Sequence, residues 1–203
     1  MPGAVIVGFY GKLPSRGDFV RSGLPRDFTD RWDDWLQSVM AGSRSLMGDA
    51  WLPAFLEAPV WRFTLPLGLC GGRAALGVML PSVDKAGRYF PLTFAALLPD
   101  DDAVEAGDAW LDCCEAAGRA ALEQDASPGQ IAEMLGSPKL AGTKTGQADS
   151  VWWSQGSPHV PPTRMTLSGM PDAVTYATML GTLANPGEAA LDVPGETTWN
   201  PTP

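Results

Sequence analysis

The segment at residues 11–20, GKLPSRGDFV, brings together residue types that often bind anions or partner proteins. Its Gly-Lys pair follows an apolar run, as in a phosphate-binding loop. That loop needs four residues between its first glycine and Gly-Lys, and then Ser or Thr to hold Mg²⁺. Here only two residues separate Gly8 from Gly11, and Leu13 follows Lys12. The loop is too short and lacks the hydroxyl, so the sequence argues against nucleotide hydrolysis.

The tripeptide Arg16-Gly17-Asp18 resembles an adhesion ligand, but a charged turn explains it better. We expect the chain in the cytoplasm, where it would meet no integrin, and a three-residue pattern often arises by chance. Glycine permits backbone conformations that other residues avoid, so Gly17 is expected to support an unusual turn. Arg16 and Asp18 can then pair with neighbouring side chains or with a partner protein.

Histidine-dependent catalysis has one candidate, because His159 is the single histidine of the chain. A Ser-His-Asp triad or a Cys-His pair would have to use it. One histidine and no close pairing of cysteines also argue against a zinc site. His159 lies between Pro158 and a Val-Pro-Pro run, which is typical of an exposed loop. We therefore predict no catalytic triad, no metal site and no cofactor. The odd number of cysteines indicates reduced thiols rather than a disulfide framework: Cys70, Cys113 and Cys114.

Two groups of carboxylates could bind a cation or perform acid–base chemistry. Residues 100–102 are all aspartate, but three aspartates ahead of an apolar periodic segment favour the start of a capped helix. Asp33 and Asp34 are adjacent on a predicted helix, and adjacent helical residues do not face each other. We interpret both groups as solvated helix positions.

Two charged, glycine-containing turns are the remaining candidates for a functional site. Each is joined to strongly apolar strands, and we predict that both lie at one edge of the sheet. They could be tied together by structural ion pairs, such as one between Asp18 and Arg88, or they could form a recognition surface, and both interpretations can hold. The predicted site consists of Lys12, Arg16, Asp18, Asp84 and Arg88, with Arg21 and Lys85 beside them.

The elements that would position these turns can be derived from apolar periodicity. Residues 4–10 predict a buried strand, and a helix with one apolar face starts at Asp27 and ends near Gly42. A short second helix is expected before Pro59. Three further strands, with a tight Gly-Gly turn after the first, predict an antiparallel meander: residues 60–70, 73–83 and 89–99.

The second half of the chain predicts mainly helices. One should run from Asp100 to about Gln124, and Ser127-Pro128-Gly129-Gln130 has the pattern of a capping box. Short strands are expected at residues 150–153 and in TRMTLSG, followed by a last helix from Pro171. The predicted fold is a single α/β sandwich domain over residues 1–184, with a mixed, largely antiparallel sheet and helices on both faces. Residues 185–203 are predicted to be a mobile acidic tail rich in Pro and Gly.

Composition and charge narrow the classes of function. The chain has 203 residues, of which 45% are hydrophobic and 18% charged, and its eight tryptophans predict an aromatic-rich core. The net charge of −9 divides into +2 for residues 1–99 and −11 for residues 100–203. This distribution makes nucleic-acid binding a poor fit, because phosphate neutralisation needs clustered Lys and Arg. No apolar run reaches the roughly 20 residues of a membrane span, and we expect no signal peptide.

Several segments, taken in order, resemble the type VI secretion-associated TagF family, also called ImpM. They are GFYGKLPSRGDFV, WDDWLQ, APVWRFTLPLGLCG, GVMLPSVDKAGRYFPLT and the later SVWW. The resemblance covers roughly residues 5 to 183. It implies an α/β sandwich fold and a cytoplasmic accessory protein of a Gram-negative type VI secretion system. No catalytic residues are carried over.

The resemblance also implies a role and a partner. The family is regarded as a post-translational repressor of assembly of the secretion machine, acting on its forkhead-associated scaffold protein. Some members are fused to a phosphatase domain, for which this sequence has no room, so we expect it to act in trans. Our leading hypothesis is therefore a non-enzymatic regulator that works by protein–protein contact. Two alternatives stay open: a small-anion or nucleotide sensor that uses Lys12, Arg16 and Arg88, and an uncharacterised hydrolase.

Overall fold

The structure is a computed structural model that describes residues 4–99, 103–106, 108–136, 138, 140–145 and 149–181. The strands are β1 (Ile6–Gly11), β2 (Val20–Ser22), β3 (Trp61–Leu65), β4 (Ala75–Leu80), β5 (Leu92–Leu97), β6 (Ala103–Ala106), β7 (Leu140–Thr145), β8 (Ser150–Ser154) and β9 (Thr163–Leu167). The α-helices are α1 (Arg26–Met47), α2 (Trp51–Glu57), α3 (Asp108–Glu123), α4 (Pro128–Leu135) and α5 (Ala173–Leu180).

Seven of these strands form one sheet, in the order β2-β1-β5-β4-β3-β8-β9. Every described pair of neighbours in this sheet runs antiparallel. The predicted meander is confirmed, because β3, β4 and β5 are adjacent in the sheet and follow one another in the chain. The tight Gly-Gly turn is wrong, because residues 66–74 connect β3 to β4. A separate ribbon pairs β6 with β7. The prediction of an α/β fold with a largely antiparallel sheet is therefore confirmed.

Helices cover both faces of the sheet, as predicted. β4 is buried along its whole length, and its side chains alternate between two hydrophobic clusters. Ala75 and Met79 belong to the cluster that includes α1, α2 and α5, whereas Leu76 and Val78 belong to the cluster that includes α3 and α4. Successive strand residues point to opposite faces, so a strand covered on both sides must be apolar throughout.

Tryptophan side chains fill the core beside α1 and also form hydrogen bonds there. Trp32 is fully buried against Phe63 and Trp152, with ring-centroid distances of 4.8 Å and 6.1 Å. Its indole N–H donates to the hydroxyl of Thr93 in β5 at 2.9 Å. Because a hydrogen bond is directional, this contact fixes the position of α1 on the sheet more narrowly than packing alone.

Several local predictions are confirmed by their hydrogen bonds. The amide of Gln130 donates to the Ser127 hydroxyl at 3.4 Å, and the Ser127 amide donates to the Gln130 side chain at 2.9 Å. This reciprocal pair is the predicted capping box of α4. The strands expected at residues 150–153 and in TRMTLSG are β8 and β9. The last helix begins after Asp172, whose carboxylate accepts from the Thr175 amide at 2.8 Å.

The predicted start of the long helix in the second half of the chain is wrong. We expected it at Asp100, but α3 begins at Asp108 because residues 103–106 form β6, which pairs with β7. Pairing with a distant strand therefore outweighs the local capping tendency of the aspartates, as tertiary context often overrides local propensity. Residues 100–102 themselves lie outside the described residues.

The predicted end of the first helix is also wrong, because α1 continues through Gly42 to Met47. Gly42 serves packing instead of termination. A Cβ at this position would lie 2.5 Å from the Cβ of Ala173, the first residue of α5. The missing side chain lets the two helices approach closely, and this packing outweighs the low helix propensity of glycine.

The predicted tail at residues 185–203 lies outside the described residues, which end at Gly181. The domain boundary at residue 184 therefore stays a prediction. Across the described part of the chain, no helix combines the length and apolar character needed to cross a bilayer.

We expect Gly42→Ala to destabilise the protein by roughly 1–3 kcal/mol, because the new methyl group overpacks the contact with α5. The sign of this change is informative, because alanine would stabilise the helix by about 1 kcal/mol relative to glycine if the contact with α5 were absent. The measurement is the free energy of unfolding in urea. Gly129→Ala in α4 is the matched control, because a Cβ there would have the Ser127 hydroxyl at 4.0 Å as its nearest contact.

The control variant should be neutral or slightly stabilised. The double variant Gly42→Ala/Ala173→Gly should recover part of the loss. Equal stability of Gly42→Ala and Gly129→Ala would show that α1 and α5 do not make this contact.

Candidate partner-binding surface at the charged turns

The two charged turns, residues 12–19 and 84–88, lie at the same end of the sheet. The first turn follows β1 directly, and the second lies in the connection between β4 and β5. Gly11, the last residue of β1, has a φ of +143°, and a Cβ there would lie 2.2 Å from the Pro91 carbonyl oxygen. Glycine is therefore required at this position, and the close approach brings the first turn against the second.

The carboxylate of Asp84 joins the two turns from a buried position. Its Oδ2 accepts from Lys12 Nζ at 2.5 Å and from Arg88 Nε at 2.7 Å. Its Oδ1 accepts from the amides of Ala86 and Arg88, both at 2.9 Å. The Asp84 side chain has no exposed surface, and these four donors replace the water that burial removes.

The backbone joins the turns a second time. The amide of Lys85 donates to the Arg16 carbonyl at 3.0 Å. The guanidinium of Arg88 donates to the Gly17 carbonyl. Gly17 itself has no positive φ, and a Cβ there would meet no atom within 4 Å. The unusual turn predicted for Gly17 is therefore wrong, because the conformation at this residue is open to other side chains.

The structure brings all five predicted site residues together, but they differ in solvent exposure. Lys12 and Asp84 are buried, whereas Arg16, Asp18 and Arg88 are exposed. Asp18 Oδ1 lies 3.9 Å from Arg88 Nη2, and the Asp18 side chain is fully exposed, so this pair contributes little. The tight ion pair joins Lys12 to Asp84 instead. The use of these residues by a partner stays a prediction.

Phe19 is the residue of this surface that sequence analysis did not single out. Its ring stacks on Tyr10 at 5.5 Å and meets Phe90 edge-on at 4.7 Å between centroids. The Lys12 ammonium lies 4.5 Å from the centroid of the Phe19 ring. Phe19 nevertheless keeps 44% of its surface exposed. The available signal is its position directly after the charged tripeptide, because aromatic residues beside charges are enriched at protein interfaces.

The protonation states of this surface follow from its hydrogen bonds. Burial alone would raise the pKa of Asp84, but the bonds from Lys12, Arg88 and Ala86 outweigh it and hold the pKa well below the usual 3.8. Burial and the hydrogen bond to Asp33, at 2.7 Å, raise the pKa of Tyr10. Asp84 is therefore ionised and Tyr10 neutral at physiological pH.

Two of the cysteines lack the surroundings of a nucleophile. Burial raises the pKa of the Cys70 thiol to about 12 and also raises the pKa of Cys114. Both thiols are therefore protonated at neutral pH, and the thiolate is the reactive form.

Cys70 borders a cleft of about 250 Å³ beside the start of α1, where the Asp27 carboxylate accepts from the Gly72 amide at 3.3 Å.

His159 lies on the surface, as predicted. Its Nε2 lies 2.7 Å from Glu57 Oε2, and the two side chains are 64% and 53% exposed. An exposed pair of this kind forms and breaks readily in water. Among the residues that the structure describes, no three His, Cys, Asp or Glu side chains are grouped so that they could hold a metal ion.

The fold and the site define an α/β protein whose helix-covered antiparallel sheet presents two interlocked charged turns at one end. Residues 8–137 match the family model described as the TagF N-terminal domain, type VI secretion system-associated. The match covers more than half of the sequence, and the chain belongs to the TagF family. It is therefore a type VI secretion system-associated protein.

A solved structure has the same fold over nearly the whole chain. The crystal structure of PA0076 from Pseudomonas aeruginosa PAO1 is similar to this chain, with 33% sequence identity and a TM-score of 0.79. The similarity covers 96% of this chain and 100% of that chain. The family-model match over residues 8–137 confirms the resemblance inferred from the sequence motifs. No curated protein matches the chain.

We expect Asp84→Asn to lower the melting temperature by roughly 5 °C or more, because it leaves the buried Lys12 ammonium without its counter-charge. Asp18→Asn is the matched control, since the Asp18 side chain is fully exposed. It should shift the melting temperature by no more than about 1–2 °C. Similar losses in the two variants would show that Asp84 does not hold the turns together.

The pH dependence of stability gives a second test of the same contact. Because the pKa of folded Asp84 lies below 3.8, its contribution to stability is complete at pH values above the pKa of the unfolded chain. The contribution is lost as the pH falls from about 4 toward the pKa of the folded state. The urea midpoint of the wild type should therefore fall more steeply between pH 5 and 3 than that of Asp84→Asn. Parallel curves would contradict the lowered pKa.

Proposed function

We propose that this chain is a cytoplasmic, non-enzymatic regulator that represses assembly of a type VI secretion system by contact with another protein. Membership of the TagF family supports the association with the secretion system. The family resemblance supports the repressor role and names the forkhead-associated scaffold as the partner. The observation that carries the proposal is that the charged turns have two parts. The ionic centre, Lys12 and Asp84, is buried, and the outer face is exposed and consists of Arg16, Asp18, Phe19, Lys85 and Arg88.

The outer face has the properties of a prepared contact surface. Arg16 and Lys85 are exposed neighbours, and within the described residues their side chains form neither an ion pair nor a hydrogen bond. Phe19 adds a partly exposed aromatic ring that three neighbouring side chains hold in place. Because the Asp84 contacts already fix the backbone of both turns, little backbone conformational entropy is lost when a partner binds.

A small-anion or nucleotide sensor is the second candidate, and the exposed Arg16 and Lys85 favour it. The sequence hypothesis also assigned Lys12 and Arg88 as anion donors. In the structure, Lys12 Nζ and Arg88 Nε both bind Asp84, so fewer donors face a phosphate group. A thermal-shift screen with ATP, GTP and inorganic phosphate separates the two candidates. Saturable stabilisation at micromolar ligand would favour the sensor.

We expect the wild-type protein to retain the forkhead-associated scaffold of its own secretion system in a pull-down. Arg16→Ala/Lys85→Ala should weaken binding about tenfold or more, because it removes two exposed cations and breaks no contact inside the fold. Arg26→Ala/Arg31→Ala is the matched control, since both arginines are exposed near the start of α1, at the opposite end of the sheet, and among the described residues neither side chain forms an ion pair or a hydrogen bond. Binding constants from titration calorimetry give the comparison.

The result of this titration also separates the two parts of the proposal. Absence of scaffold binding by the wild type would refute the partner. Undiminished binding by a folded Arg16→Ala/Lys85→Ala variant would refute the surface and leave the partner standing.

A further inference from the structure

We propose that the charged turns bind an acidic protein segment that places an apolar side chain against Phe19. The inference rests on the proposed function and gives the partner of that surface its chemistry. It names the sign of charge and the kind of anchor that the partner must carry.

The first support is the local charge. Residues 12–21 and 84–88 contain five cations and two anions, a net charge of +3 in a chain of net charge −9. One anion, Asp84, is buried and already compensated by Lys12 and Arg88. The charges that face solvent are therefore Arg16, Arg21, Lys85 and Arg88 against Asp18. A surface whose sign opposes that of the whole protein selects and orients an oppositely charged partner.

The second support is an acidic border on one side of this surface. Asp33 accepts hydrogen bonds from Tyr10 and Gln37, and the charges of Asp30 and Asp33 act on Tyr10. An acidic segment is repelled from this side and attracted toward Arg16 and Lys85. The border therefore restricts the orientation of the segment, because specificity needs repulsion from wrong arrangements as well as attraction in the right one.

The third support is Phe19, an apolar anchor that directly follows the first charged turn's Asp18 and contacts Lys12. Its contacts with Tyr10, Phe90 and Lys12 hold the ring while 44% of it stays exposed. Partly exposed aromatic rings that are fixed before binding are typical centres of protein interfaces. Small anions gain nothing from such a ring, whereas an apolar side chain of a protein segment is covered by it.

The test changes the charge of side chains in the two turns and measures the affinity for the scaffold. Asp18→Asn should tighten binding of the scaffold about two- to fivefold, because it removes the one exposed anion of the two turns. Arg16→Glu/Lys85→Glu should weaken binding about 10- to 100-fold. The charge-matched control Arg26→Glu/Arg31→Glu should change affinity less than about twofold. Wild-type affinity should fall about tenfold between 50 and 300 mM NaCl.

The anchor is tested separately. Phe19→Ala should weaken binding about tenfold or more without changing the salt dependence, and Phe19→Leu should restore part of the affinity. Circular dichroism and thermal melting of each variant show whether its fold is kept.

For the charge variants, tighter binding by Arg16→Glu/Lys85→Glu, or weaker binding by Asp18→Asn, would overturn the inference.

Defined peptides keep this test independent of the scaffold. The probes are fluorescein-labelled (Glu-Glu-Leu-Gly)₄ and (Lys-Lys-Leu-Gly)₄, followed by fluorescence anisotropy. The acidic peptide should bind the wild type and lose binding to Arg16→Glu/Lys85→Glu. If the scaffold fails to bind while the acidic peptide does, the proposed partner is wrong and the charge inference holds. Equal binding of the acidic peptide to both proteins, or none to either, would overturn the charge inference.

A second copy of this chain could also supply an acidic segment, because residues 100–203 carry a net charge of −11. Light scattering at several protein concentrations distinguishes this occupant. A dimer that dissociates in Arg16→Glu/Lys85→Glu would overturn the choice of a different protein as partner.

Discussion

The contact between Asp84 and Lys12 is the interaction on which the end of the molecule that carries the two charged turns depends. Each group is buried, and each would be strongly destabilising without the other, because a buried charge loses its hydration. The same carboxylate accepts from Arg88 and from two amides of its own turn. One side chain therefore sets the shape of the second turn and also holds the first turn against it. The positions of Arg16, Lys85 and Phe19 follow from this arrangement.

The sheet makes this end of the molecule a rigid platform. β4 and β5 are buried on both faces, and β1 pairs with β5 up to Tyr10, so the turns continue from the most densely covered strands. On one face, Trp32 binds Thr93 of β5. On the other face, Arg62 of β3 binds Asp112 and Glu115 of α3 at 2.6 Å and 2.7 Å. Directional contacts thus fix the helix layers on both sides.

The sequence predicts most of this architecture where the signal is local. Apolar periodicity identifies the meander and α1, and the capping box of Ser127 is readable because its partners are three residues apart. Long-range pairing is where prediction fails. The helix predicted from Asp100 starts later because β6 pairs with the distant β7. Gly42 is taken for a helix end because nothing in the sequence shows that Ala173 lies against it. The site follows the same rule. Its residues are found from their charges, whereas the pairing of Lys12 with Asp84 joins positions 72 residues apart.

Burial of the ionic centre divides the residues of these turns into two groups. Lys12, Asp84 and Gly11 are constrained by the fold, since a change at any of them disturbs the backbone. Arg16, Asp18 and Lys85 project outward without supporting that backbone. The charge of the outward positions can therefore be altered at little cost to folding. The architecture of such a protein does not depend on the charge pattern that it presents to solvent.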